Sequence, residues 1–184
     1  MSKHRSTRGI TIIEVALLIS VVGVAIAVGV PTFTRVLRTS KMAEAPFELA
    51  RMHAALAAYY TTPQETPAGK RLRCLPAAAG PTPKTPSRNP VVVQFGAPET
   101  PGTATWRAIG YEPSSPIRYR YSLITAKAGC GITPAKGHTD AVVTLRAEGD
   151  LDADGTLSRF ERRVNADDGE LVLDPMLDVG DRLE

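Results

Sequence analysis

Between Ile10 and Val30 the chain carries one charge, the carboxylate of Glu14, and every other side chain there is apolar or small. A run of about 20 such residues is what an α-helix needs to cross a bilayer core. That run constrains the N-terminus more than any other feature of the chain. Lys3, Arg5 and Arg8 precede it and Pro31 follows it. Basic flanks stay on the cytoplasmic side, which sends everything beyond Pro31 across the membrane. A secretory signal is the simplest reading of such a start, and Ala25-Ile26-Ala27 offers a small-x-small cleavage pattern. The run is long for a signal core, however, and Glu14 interrupts it near its beginning. A carboxylate in hydrocarbon costs about 2.5–3.5 kcal/mol and marks a functional position with a partner. A cut after Gly9 would create an amine at Ile10, one helical turn from Glu14. Charges of both signs, unpaired in a monomer, would then favour pairing between staggered neighbouring helices.

The run Gly9-Ile10-Thr11-Ile12-Ile13-Glu14, with Gly23 and Pro31 beyond it, resembles the class III signal of type IV pilins and type II secretion pseudopilins. The resemblance implies that a prepilin peptidase cuts after Gly9 and methylates the new amine of Ile10. It implies that Glu14 is required for subunit assembly and that Pro31 sits where the stem helix bends or melts. Ile10 departs from the phenylalanine usual in that place. The implied function is a structural subunit, pilin or minor pilin, of a type IV pilus or pilus-like filament. A type II secretion pseudopilin is the alternative. A membrane-anchored calcium-binding or adhesive module that never polymerises is a further one. The implied partners are other pilin subunits, the prepilin peptidase, an inner-membrane assembly platform and, before assembly, membrane lipid. The implied location is the inner membrane, single-pass with the head in the periplasm, and then the pilus or cell surface.

The expected organisation is a cleaved leader 1–9, a membrane and assembly stem 10–31, an amphipathic half-helix 32–62 and a head 63–184. Beyond Pro31, Phe33, Val36, Leu37, Leu49, Met52, Leu56 and Tyr59 fall near one helical face, with Arg35, Arg38, Lys41, Glu44 and Arg51 elsewhere. Pro46 predicts a bend around Met42 to Ala45, and Thr61-Thr62-Pro63 predicts the helix end. His53 reads as a boundary histidine. From Pro63 to Pro116, recurrent prolines with Gly69, Gly80, Gly96 and Gly102 predict a long irregular loop. Within it, Val91 to Phe95 reads as a strand and Trp106 as a core anchor. Alternation of Ile117, Tyr119, Tyr121 and Leu123, and of Ala141, Val143 and Leu145, predicts two further strands. Ile124 breaks the first alternation. Ser158 to Val164 and Leu171 to Asp174 can supply more. The fold class expected is α+β, a long N-terminal helix packed on an antiparallel sheet of about four strands, which is also the pilin fold. The segments Trp106 to Pro113 and Ile117 to Tyr121 resemble pilin-like proteins of delta-proteobacterial type.

Asp150-Leu151-Asp152-Ala153-Asp154-Gly155-Thr156-Leu157-Ser158-Arg159-Phe160-Glu161 fits the EF-hand loop spacing in full. Asp150, Asp152 and Asp154 would bring carboxylates to one calcium ion, with the Thr156 carbonyl, Ser158 and a bidentate Glu161 completing the shell. Hard oxygen donors suit calcium over zinc or copper. The flanks read as strands, not helices, and an acidic turn without an ion satisfies the same residues. Cys74 and Cys130 are the only cysteines, too far apart for a CxxC motif. They pair if the head is exported and stay as two thiols if it is not. The formal net charge of +3 matches the three basic residues of the leader, so no nucleic-acid partner is expected. No phosphate loop, GxSxG or HExxH occurs, and His4, His53 and His138 are scattered. The chain reads as a substrate of enzymes and not as an enzyme.

Overall fold

A computed structural model describes residues 11–132, 141–167 and 170–180, with backbone alone for 34–39 and 166–167. The chain divides into two units, 1–40 and 41–184. The first is dominated by helix α1, Ile12–Met42. Ile12–Phe33 is long and apolar enough to cross a membrane, and none of it is buried inside the fold. Its hydroxyls are satisfied within the helix. Ser20 Oγ donates to the Ala16 carbonyl at 2.9 Å and Thr32 Oγ1 to the Val28 carbonyl at 2.8 Å. Pro31 lies inside α1, not at its end.

The second unit begins with α2, Glu44–Thr61. The expected interruption falls at Ala43, and Pro46 is the third residue of α2, where its missing N–H has no helical acceptor to lose. Thr62 turns extended ahead of Pro63 and ends the helix. Ala45, Leu49, Met52, Leu56 and Tyr60 are buried. Tyr60, one residue on from the expected Tyr59, takes the inward position. Ala43, Phe47, Ala50, Ala54 and Ala58 line the exposed face. The polarity of α2 is therefore unusual, because its charged side chains point toward the head. Glu44 and Arg51, expected on the outer face, both bond into it. Phe47 stands outside, 59% exposed.

The remaining elements are β1 (Gln64–Glu65), β2 (Arg71–Leu72), β3 (Cys74–Leu75), β4 (Ala79–Thr82), α3 (Thr103–Ile109), β5 (Arg120–Thr125), β6 (Gly129–Cys130), β7 (Val143–Gly149), β8 (Ser158–Asp167) and β9 (Glu170–Gly180). Among the described residues the main sheet is antiparallel in the order β4-β5-β7-β8-β9, and β1-β2 and β3-β6 form two small ribbons. The fold class is α+β, as the alternation predicts. Val143, Leu145 and Ala147 point to the core from β7. Tyr119, Tyr121, Leu123, Phe160 and Val164 join them against Leu49, Met52 and Leu56 of α2. Burial of that apolar surface is the dominant favourable term in folding.

Three expectations for the head change. Val91 to Phe95 is not a strand, because only Val91 pairs, bridging Ile117. Pro90 removes a donor on one side and the chain turns at Gly96 on the other. Phe95 is buried in an aromatic nest, with Trp106 at 5.1 Å and Tyr111 at 5.4 Å between ring centroids. Trp106 is a core anchor as expected, but it sits on α3, bracketed by left-handed Gly102 and Gly110. Its indole N–H donates to Thr82 Oγ1 at 3.1 Å and to the Pro101 carbonyl at 3.0 Å. β9 runs through Gly180, well past Asp174, and holds Pro175 at a bulge of this edge strand, where the pairing with β8 shifts register between Arg162 and Val164. β5 ends at Thr125, one residue past the break in alternation at Ile124.

Candidate functional site

Gly9 and Ile10 lie outside the described residues. Glu14 is in the first turn of α1. Thr11, the residue before the helix, and Glu14 bond reciprocally. The Thr11 N–H donates to Glu14 Oε2 at 2.8 Å, the Thr11 hydroxyl donates to the same oxygen at 3.0 Å, and the Glu14 N–H reaches Thr11 Oγ1 at 3.3 Å. This is a capping box, with threonine at the N-cap and glutamate three residues on. The carboxylate is exposed, and its local hydrogen bonds come from a neutral side chain and an amide. The Thr-x-x-Glu spacing was the signal available in the sequence.

The aspartate loop joins β7 to β8. Carboxylate oxygens of Asp150, Asp152 and Asp154 lie within 4.8 Å of one another. Asp150 Oδ1 accepts the Ala153 N–H at 2.7 Å and its Oδ2 the Gly155 N–H at 3.1 Å, while Asp154 Oδ1 accepts the Thr156 N–H at 2.7 Å. Ala153 at φ 65° and Gly155 at φ 91° turn the chain. The left-handed conformation is free for glycine but costs alanine about 1–2 kcal/mol. The remaining side chains of the expected shell are elsewhere. Ser158 is fully buried and donates to the Gly149 carbonyl at 3.1 Å. Glu161 lies along β8 opposite Arg146, whose Nε is 2.5 Å away. The structure thus gathers three of the four expected carboxylates, and the ladder claims the fourth. Three clustered hard-oxygen donors still match calcium chemistry.

Cys74 and Cys130 are bonded, resolving the open alternative in favour of the disulfide. They face each other across β3 and β6, so the proline-rich segment is tied to the turn after β5.

Two carboxylates of α2 bond into the head: Glu44, which the sequence places away from the apolar face, and Glu48, which it does not single out. Glu44 Oε1 accepts the Arg118 N–H at 2.7 Å, the Tyr119 N–H at 3.2 Å and the Tyr121 hydroxyl at 3.3 Å. Glu48, 1% exposed, accepts the Tyr111 hydroxyl at 2.9 Å and pairs with Arg51 at 3.0 Å. Their four-residue spacing places them beside Ala45 and Leu49 on the inward face, which was the readable clue. Burial raises the pKa of Tyr111, and the adjacent negative charge of Glu48 raises it further. Burial likewise raises Tyr121, followed by the charge of Glu44. Burial pushes Tyr119 up to about 12. Nearby Ser158 offsets part of that rise, although by geometry the Ser158 hydroxyl donates to the Gly149 carbonyl and the Tyr119 hydroxyl finds no partner among the described residues. These groups tie α2 to the rest of the head.

Comparison of the chain with protein-family models, with curated proteins and with solved structures finds no match.

Proposed function

We propose that the chain is a pilin-type structural subunit, made as a prepilin, cleaved after Gly9 and polymerised through its stem into a type IV pilus or pilus-like fibre. The observation that carries this reading is α1 itself. It is a membrane-length apolar helix, unburied within its own fold, with a carboxylate in its first turn. A plain anchor needs the length but has no use for the charge. The disulfide agrees with a head exported to an oxidising compartment, and packing of α2 on an antiparallel sheet agrees with a pilin head.

Processing and assembly are tested separately. Gly9→Val should leave an uncleaved precursor, seen as slower migration on gels, and unchanged processing sinks the prepilin reading. Glu14→Ala should insert into the membrane normally yet fail to enter sheared fibres. Normal fibre entry would favour a non-polymerising anchor. Fibres confined to the periplasm would point to the secretion pseudopilus.

Calcium at the β7–β8 turn is part of this proposal. Asp150, Asp152, Asp154 and the Thr156 carbonyl would hold the ion. Its role would be to order the turn, not to react.

A further inference from the structure

We infer that Arg35, Arg38 and Lys41 make a cationic collar on α1 that binds the phosphate groups of anionic phospholipids in the leaflet on the exported side; this deepens the membrane stage of the reading above and rests on α1 as a span. The apolar stretch Ile12–Phe33 ends two residues before Arg35. At about 1.5 Å per residue, Arg35 stands about 3 Å and Arg38 about 7.5 Å beyond Phe33 along the helix. The headgroup layer on each face of a bilayer is about 5–8 Å deep, so both positions fall at its level. Lys41, about 12 Å beyond Phe33, lies past that layer, and its long apolar stem lets the ammonium snorkel back to it. Spacings of three keep the residues on one side of the helix.

The chain offers these cations no counterion of its own nearby. No carboxylate occurs between Glu14 and Glu44. Glu44, three residues after Lys41, would be the natural local partner, but the head claims it. Its Oε1 accepts the Arg118 and Tyr119 N–H groups, and its Oε2 pairs with the Arg118 guanidinium at 3.3 Å. Lys41 makes no ion pair among the described residues. Lys and Arg on the exported side of a span also run against the usual cytoplasmic bias. Three of them within seven residues, at headgroup depth and without carboxylates, fit an anionic surface, and in a bilayer that surface is phosphate. Each Lys or Arg close to such a surface favours it roughly fivefold. The grip sets how deep the stem sits, and a subunit that leaves the bilayer must give it up.

The test reconstitutes the full chain, with Phe33→Trp as a probe, in vesicles of equal parts phosphatidylglycerol and phosphatidylcholine. One lipid or the other carries bromine in its upper acyl chain, and quenching by each reports which lipid sits beside the stem. The parent chain, whose one tryptophan is fully buried in the head, gives the background. Phosphatidylglycerol should be preferred beside the probe roughly fivefold or more. Arg35→Gln, Arg38→Gln and Lys41→Gln together should bring the two lipids to parity, whereas Arg35→Lys with Arg38→Lys should keep the preference. Added salt should weaken it, and inorganic phosphate at matched ionic strength should not displace it. Equal quenching by both lipids in the probe chain overturns the inference. So does a preference that survives the three glutamines, and so does its loss with the two lysines, which would mark an altered helix and not charge. Displacement by inorganic phosphate at matched ionic strength overturns it in favour of a soluble anion. If neither lipid quenches the probe, α1 is not in the bilayer and the membrane reading itself fails, a result distinct from these.

Discussion

Alkaline unfolding of the head should be unusually steep, because three of the five tyrosines are buried with raised pKa values. In the unfolded chain each returns to the ordinary value of 10.0. Below that pH both states hold the proton and the tyrosines make no pH-dependent difference. Above it the unfolded chain releases protons that the folded head retains, so stability falls as pH rises. One unit above the unfolded value costs about 1.4 kcal/mol per tyrosine, or about 4 kcal/mol for the three. Two units cost about 8 kcal/mol, comparable with the ~5–15 kcal/mol that holds most domains folded. The contribution of Tyr119 levels off above its folded value of about 12, while Tyr111 and Tyr121 continue to destabilise beyond it. The assay follows phenolate absorbance and far-ultraviolet circular dichroism together while the pH of the detergent-solubilised protein is raised. The two signals should change in one cooperative step. Tyr119→Phe should flatten the slope by about one third and barely alter stability at neutral pH, since its hydroxyl has no partner among the described residues. Release of all three protons near pH 10 with the dichroism intact would refute the burial argument.

Other perturbations have equally definite outcomes. Removing the Cys74–Cys130 bond, by paired serine substitution or by reductant, should lower stability by about 4 kcal/mol for a closed loop of this length, read from denaturant midpoints; an unchanged midpoint would contradict it. Trp106→Ala should cost about 3–5 kcal/mol, since it empties the aromatic nest and leaves the Pro101 carbonyl without its indole donor. Calcium should raise the melting temperature only at about 10⁻⁴–10⁻³ M, the weak end of loop affinities, because Glu161 belongs to the ladder. Asp152→Asn should abolish that shift, and no response in the parent at millimolar calcium would dismiss the site. Gly149→Ala should destabilise the head by about 1–3 kcal/mol, because the added methyl would fall 2.5 Å from the ring of Tyr119; a neutral melt would show that the ring moves aside.

The apolar run of α1, the inward stripe Leu49, Met52 and Leu56, and the alternation in β7 were all legible, because each is a periodic pattern over many residues. What escaped depends on contacts between distant residues. Val91 to Phe95 has strand composition, yet its backbone finds one partner and its phenylalanine finds the Trp106 nest. α3 is too short for a periodic signal, although glycines at both its ends marked it. β9 reads as broken at Asp174-Pro175, but the break is a bulge in an edge strand, where the pairing with β8 shifts register between Arg162 and Val164 and resumes at Leu177, and Asp174 Oδ1 accepts the Met176 N–H at 2.8 Å. The acidic loop was legible as spacing. Its ligand set was not, because spacing cannot tell where β8 starts, and a start at Ser158 commits both Ser158 and Glu161 to the sheet.

The inverted polarity of α2 has a consequence over generations. Glu44, Glu48, Arg51 and His53 all answer to the head, so a lineage can change them only together with the sheet. Ala50, Ala54 and Ala58 are exposed, carry no such bonds and can drift. Selection can thus redraw what this helix presents to the outside, one alanine at a time, while the domain behind it keeps its architecture.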